Sequence, residues 1–306
     1  MTYLEFYGLR EDPFKITPDY KYFYPSHSHR LADELLNYVI KHGEGFCVII
    51  GEPGTGKTTV IRKFIASLSD NIIYAFVLTP NLSPEEFLNV VLDDLGLEIN
   101  TTSKNELIKK FRDFLEKKVS EGKKVLIIVD EAQNLPVETL EELRLLSNLE
   151  TENEKLVQII LLGQPELDKK LKLPQLRQLN QRITNKVYLR HLTLDETEKY
   201  IKHRLMIAGG GNVRFTENAV TKIHKYSKGI PRIVNILASR SLMSAFMTGS
   251  FLIKPENVEA AKETLNPDFL IEDRFGFLSK EKIIISLLVL LNLTGIAYII
   301  YRIFFQ

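Results

Sequence analysis

Apolar residues along this chain gather in short runs separated by stretches of helical spacing. The runs near 46–50, 72–78, 125–129, 156–162 and 186–190 have the length and the branched or aromatic content of buried strands. Helical patterns lie between them. Strands that alternate with helices predict a parallel sheet covered on both faces. The helix after the second strand opens on Ser83-Pro84-Glu85-Glu86, where Ser83 and Glu86 have capping-box spacing and proline takes the first helical position. From Leu192 to about Leu265 the pattern turns helical only, with Thr193 and Glu196 repeating the capping spacing and Gly209 to Gly211 separating helices. The expected organisation is an αβα domain over 1–190, a helical lid over 191–266, a linker over 267–279 and a tail over 280–306.

The tail breaks the amphipathic pattern. Ile283 to Tyr301 is apolar all round, with no charge over 19 positions, so it lacks the polar face of a surface helix. At about 1.5 Å per residue it extends roughly 28 Å, the thickness of a bilayer's hydrocarbon core. A C-terminal position is wrong for a cleaved secretory signal, and the N-terminal stretch MTYLEFYGLREDPF has no basic start or apolar core. Lys280, Lys282 and nearby Arg274 precede the stretch and only Arg302 follows it, so the positive-inside rule keeps the N-terminal part in the cytoplasm. The expectation is a single-pass membrane protein with its body in the cytoplasm.

Charge narrows the partners. Removing the tail from Lys280 onward takes away three basic residues and one acidic one, leaving 37 Lys and Arg against 38 Asp and Glu. A body this close to neutral has no general attraction for nucleic acid. The lone Cys47 lies inside an apolar run and is expected to be a core residue. His27 and His29 form an H-x-H pair with no further ligand at metal spacing. Tyr20, Tyr22, Phe23 and Tyr24 are expected to pack the N-terminal segment onto the body, with one edge able to approach a base.

The chemistry is concentrated in "FCVIIGEPGTGKTTVIRKFI". A strand-like run leads into Gly51, Glu52, Pro53, Gly54, Thr55, Gly56, Lys57 and Thr58, followed by Thr59 and a helical pattern. That is a phosphate loop in its required strand, loop and helix context. Its backbone N–H groups and the positive helix end suit phosphate oxygens; Lys57 reaches the β- and γ-phosphates and the Thr58 hydroxyl can ligate Mg²⁺. A second strand, in "KKVLIIVDEAQNLP", ends in Asp130 and Glu131. Asp130 is expected to hold Mg²⁺ directly or through water, and Glu131 to polarise the attacking water.

The opening "FYGLREDPF…PDYKYFYPSHSHRLADELLNYVIKHGEGFCVIIGEPGTGKTT", the middle "VDEAQNL" and "LLGQPELDKKLKLPQLRQLNQRI", with "ETEKYIKHRL" and "SKGIPRIVNIL", resemble AAA ATPases of the general secretion pathway protein A type, over about residues 3–250. The resemblance implies an α/β P-loop NTPase of the AAA+ fold, strand order 5-1-4-3-2 with a C-terminal helical lid, Mg-ATP hydrolysis and a ring-like homo-oligomer. It places Gln164 in the sensor-1 region, where Asn or Thr is commoner, Arg182 as the finger given to a neighbouring subunit, and Arg232 as the sensor-2 arginine. Arg177, about one helical turn from Arg182, is a rival for the finger. Members of this type resemble cytoplasmic ATPases joined by one span to a wall-binding part, implicated in assembling secretion, pilus or export machines. This chain ends soon after its apolar stretch, so a second envelope protein is the expected far-side partner, and Asn292 and Gly295 suit helix association. Two other readings share the core: an ATPase regulator of DNA transposition or replication, and a nucleotide-gated membrane scaffold in which Glu131 has no catalytic role.

Overall fold

The computed structural model describes residues 2–78, 81–101, 103–150, 155–210 and 212–265. The predicted linker and the 283–301 stretch lie outside the described residues, among which no helix is long and apolar enough to cross a membrane.

Two helices, α1 (Tyr3–Tyr7) and α2 (His27–His42), precede the first strand, β1 (Phe46–Gly51). Then follow α3 (Lys57–Ala66), β2 (Ile72–Val77), α4 (Pro84–Asp94), α5 (Lys104–Ser120) and β3 (Lys124–Val129). After α6 (Val137–Leu146) come β4 (Val157–Gly163), α7 (Pro165–Leu171), α8 (Arg177–Arg182) and β5 (Asn185–Leu189). All five strands run parallel in the order β2-β3-β4-β1-β5, the predicted order seen from its other edge. Strand bounds fall within about one residue of the sequence reading, because buried parallel strands announce themselves as short apolar runs.

Strand alternation sends successive side chains to opposite layers. Phe46, Val48 and Ile50 of β1 join a core with Phe87, Phe111 and Leu143 from α4, α5 and α6. Cys47 and Ile49 enter the other, with Leu36 of α2 and Ile61 and Phe64 of α3. Burial pushes the Cys47 thiol up to about 12, so it is an inert core residue.

Both predicted capping boxes form: Ser83 with Glu86, and Thr193 with Glu196. The C-terminal region contains α9 (Leu194–Ile207), α10 (Glu217–Ser227), α11 (Pro231–Met247) and α12 (Pro255–Glu263), but it is not helical only. Two-residue strands β6 (Arg214–Phe215) and β7 (Leu252–Ile253) pair in parallel between them. Strands this short leave no periodicity to read. Residues up to Glu263 belong to one compact unit.

Candidate functional site

The sheet order sets β4 between β1 and β3, so the loops at the C-terminal ends of these parallel strands face one region, where open α/β sheets place ligands. A cavity of ≈ 500 Å³ opens there, lined by Pro53 to Thr59, Glu131, Arg232 and part of the N-terminal segment. In the loop, Gly54 and Gly56 have φ of 82° and 101°, which side-chain-bearing residues avoid. A Cβ on Gly54 would also lie 2.7 Å from the Cβ of Arg232, so glycine permits the C-terminal helices to approach the loop. Arg232, at the second position of α11, donates its backbone N–H to the Gly54 carbonyl at 3.2 Å.

Lys57 is buried and donates from Nζ to the carbonyls of Gly51 at 2.8 Å and Glu52 at 3.3 Å. Burial lowers its pKa, while Glu131, Asp130 and Glu166 pull the other way. Thr58 Oγ1 donates to Asp130 Oδ2 at 2.7 Å, and Asp130 Oδ1 accepts from the Glu131 N–H at 2.9 Å. Two hard oxygens from sequence positions far apart thus meet at the mouth of the loop, the donor set of a small divalent cation. Gly51 and Glu52 do not line the cavity; the Glu52 carboxylate instead pairs with His191 at 3.1 Å.

Glu131 has φ 51° and ψ 37°, a left-handed conformation that costs a non-glycine residue about 1 kcal/mol. Its carboxylate is held by amides: Gln133 Nε2 and Gln164 Nε2 donate to Oε2 at 2.6 Å and 2.9 Å. Gln133 Oε1 in turn accepts from the Gln164 backbone N–H at 3.1 Å. Burial pushes the Glu131 carboxyl up, but the two amide donors and the Lys57 charge outweigh it and hold the pKa below the ordinary value. The group is ionised at neutral pH, as a water-polarising residue must be.

Gln164 directly follows β4 and reaches Glu131, without lining the cavity itself. Arg182 does not join the cavity: it ends α8, exposed, with Nη1 donating to Ser147 Oγ at 3.2 Å. Arg177, at the other end of α8, is exposed as well and does not line the cavity. Sequence reasoning missed Gln133, whose only local signal is its position two residues after Glu131, and His29, treated as a bland histidine. The aromatic segment does more than pack. Tyr22, Phe23 and Tyr24 line the cavity, and the Arg204 guanidinium lies 4.6 Å from the Tyr22 ring centroid while donating to the Lys15 carbonyl.

The AAA domain family matches residues 40–171, spanning both carboxylates and the loop. General secretion pathway protein A of Aeromonas hydrophila is 40% identical over 260 residues, which are 85% of this chain and 48% of that protein. The chain carries an AAA domain and resembles general secretion pathway protein A over most of its length. It spans about half the length of that relative. ATP-dependent target DNA activator B of Escherichia phage Mu is 36% identical to this chain over 104 residues, 34% of this chain and 31% of the activator. Among solved structures, Cdc6p from Pyrobaculum aerophilum aligns with a TM-score of 0.62 at 17% identity, covering 86% of this chain and 71% of Cdc6p. At that identity the likeness is one of fold.

Proposed function

We propose that this chain hydrolyses Mg-ATP at the cytoplasmic face of a bacterial inner membrane, and uses it to assemble or remodel a cell-envelope secretion, pilus or export machine. The observation that carries the hydrolytic part is the meeting of Lys57, Thr58 and the amide-held Glu131 at one cavity, with Asp130 bonded to Thr58 behind it. Thr58 and Asp130 would hold Mg²⁺, which supplies charge neutralisation on the phosphate being transferred. Lys57, released from the Gly51 and Glu52 carbonyls, turns to phosphate oxygens. Glu131 accepts a proton from the attacking water. The likeness to general secretion pathway protein A supports the envelope role.

The place in the cell rests on the uncharged 283–301 stretch. Burying about twenty apolar residues anchors a chain far more firmly than an interfacial helix or one lipid chain. The full chain is expected to stay with membranes through high-salt and alkaline washing, and a truncation ending at 279 to be soluble and still bind ATP. Release of the full chain by those washes would remove the basis for a membrane role.

A ring-like homo-oligomer is part of this reading, with Arg182 as the arginine given to the neighbouring copy. Its guanidinium is exposed and does not line its own cavity, which suits a role in a neighbouring copy. Arg182→Ala is expected to bind ATP normally and to lose roughly 10³-fold in hydrolysis, the scale of an arginine supplied in trans. Mixing it with Lys57→Ala subunits should recover part of the activity, each contributing what the other lacks. Oligomers that form without any recovery speak against the assignment, and the same test on Arg177→Ala decides between the two arginines.

The likeness to the phage DNA activator favours a second reading, in which the ATPase acts on DNA. Steeply salt-dependent DNA binding by residues 1–279 would support it, and none is expected from a nearly neutral body.

A further inference from the structure

The first turn of α2 reaches three places at once. The His27 backbone N–H donates to Glu196 Oε1 on α9 at 2.9 Å, and Ser28 Oγ accepts the backbone N–H of Arg190, just after β5, at 3.2 Å. His29 turns inward. It is 5% exposed, its Nε2 lies 2.9 Å from the carbonyl oxygen of Thr55 in the phosphate loop, and its Nδ1 lies 2.5 Å from Ser26 Oγ.

The proton positions follow from the partners. A carbonyl oxygen only accepts, so Nε2 must carry a hydrogen, and in the neutral ring Nδ1 then accepts from the Ser26 hydroxyl. Burial pushes the ring's pKa down, opposed by the Thr55 carbonyl and by Glu196, and the ring is neutral at neutral pH.

The target of this bond matters for phosphate. A trans peptide unit is planar, with its C=O and N–H pointing in opposite directions. Holding the Thr55 carbonyl against the ring therefore turns the Gly56 N–H away from the ring. That unit turns about Thr55 ψ and Gly56 φ; Gly56, at φ 101°, sets little restraint on its side, and Thr55 is otherwise anchored through its N–H and hydroxyl, which both donate to the Glu52 carbonyl. The ring also sets the residue beside it: a Cβ on Gly56 would lie 2.9 Å from His29 Nε2.

We propose that His29 is a positioning residue for the nucleotide, fixing the Thr55–Gly56 peptide plane so that the Gly56 N–H is presented to a nucleotide phosphate before ATP arrives. This rests on the reading of the loop as an ATP site. Through the His27 and Ser28 contacts, the same turn ties that plane to the start of the C-terminal helices.

The test uses the full chain, with ATP itself as the probe in calorimetry and steady-state hydrolysis. His29→Ala is expected to raise the Kd and KM for ATP about tenfold, the scale of one lost hydrogen bond, with kcat at saturation nearly unchanged. His29→Gln, whose amide N–H can reach the Thr55 carbonyl, should recover affinity to within about threefold of the natural protein. A packing role would instead lower the unfolding temperature of both variants and leave KM alone. Affinity unchanged in His29→Ala, or no better in His29→Gln than in His29→Ala, overturns the proposal. A check independent of any variant is the ring's tautomer by ¹⁵N resonance: hydrogen on Nε2 supports the proposal, and hydrogen on Nδ1 at neutral pH sinks it. If the natural protein bound no ATP, the ATPase reading would fail first.

Discussion

Glu131→Gln keeps ATP bound and stops its hydrolysis, with an expected fall in kcat of roughly 10²–10⁴-fold, the range of a lost general base. The change is nearly isosteric and leaves Lys57, Thr58 and Asp130 in their places. It removes the charge that gives the carboxylate its basicity, and it puts an amide against the amide donors Gln133 and Gln164. ATP affinity should stay within about threefold, because Glu131 contributes nothing to the loop's N–H groups. Phosphate release by the purified protein and trapping of unhydrolysed ATP by filter binding measure the two halves. Hydrolysis at the natural rate in this variant would mean that another group polarises the water, and it would revive the reading of the chain as a nucleotide-gated scaffold.

Lys57→Ala is expected to abolish ATP binding at micromolar nucleotide, a loss of about a hundredfold or more. Hydrogen bonds from a charged donor contribute roughly 1.5–3 kcal/mol each, and every 1.4 kcal/mol is about tenfold in affinity. This ammonium is buried beneath the loop and bonded to the Gly51 and Glu52 carbonyls. The variant removes this donor from both carbonyls, of which Glu52 keeps the Thr55 N–H and hydroxyl, so an unfolding curve without nucleotide is the necessary control. A variant that melts like the natural protein yet binds ATP with similar affinity would show that the backbone cradle alone carries the nucleotide. Together the two substitutions separate binding from turnover: one empties the site and the other fills it without consequence.

Several features were legible because they are written in spacing along a few residues. The stretch from Phe46 to Ala66 forms strand, loop and helix in turn, and Ser83–Glu86 and Thr193–Glu196 close their caps three residues apart. Each is decided by the geometry of one turn of backbone, which neighbours in sequence share. The strand order came from the resemblance rather than from the runs themselves, since an apolar run does not say which strand lies beside it. The helical-only expectation for the C-terminal region failed at β6 and β7, where two residues per strand are too few to show alternation.

By itself, the sequence determined the chemical inventory: a lysine and a threonine closing a glycine loop, two carboxylates ending a buried strand, and the run of elements that carries them. Only the tertiary structure decided which groups act on one another. Thr58 and Asp130 are 72 residues apart, Glu131 and Gln164 are 33, and His29 and Thr55 are 26. Their meeting depends on β1, β3 and β4 lying side by side with their C-terminal ends at one edge, and on the N-terminal segment folding back against α9 and α11. Side-chain periodicity reports only which face of its own element a residue occupies. Contacts across elements are set by the packing of whole layers, and it is that packing which turned His29 from one member of an H-x-H pair into a partner of the phosphate loop.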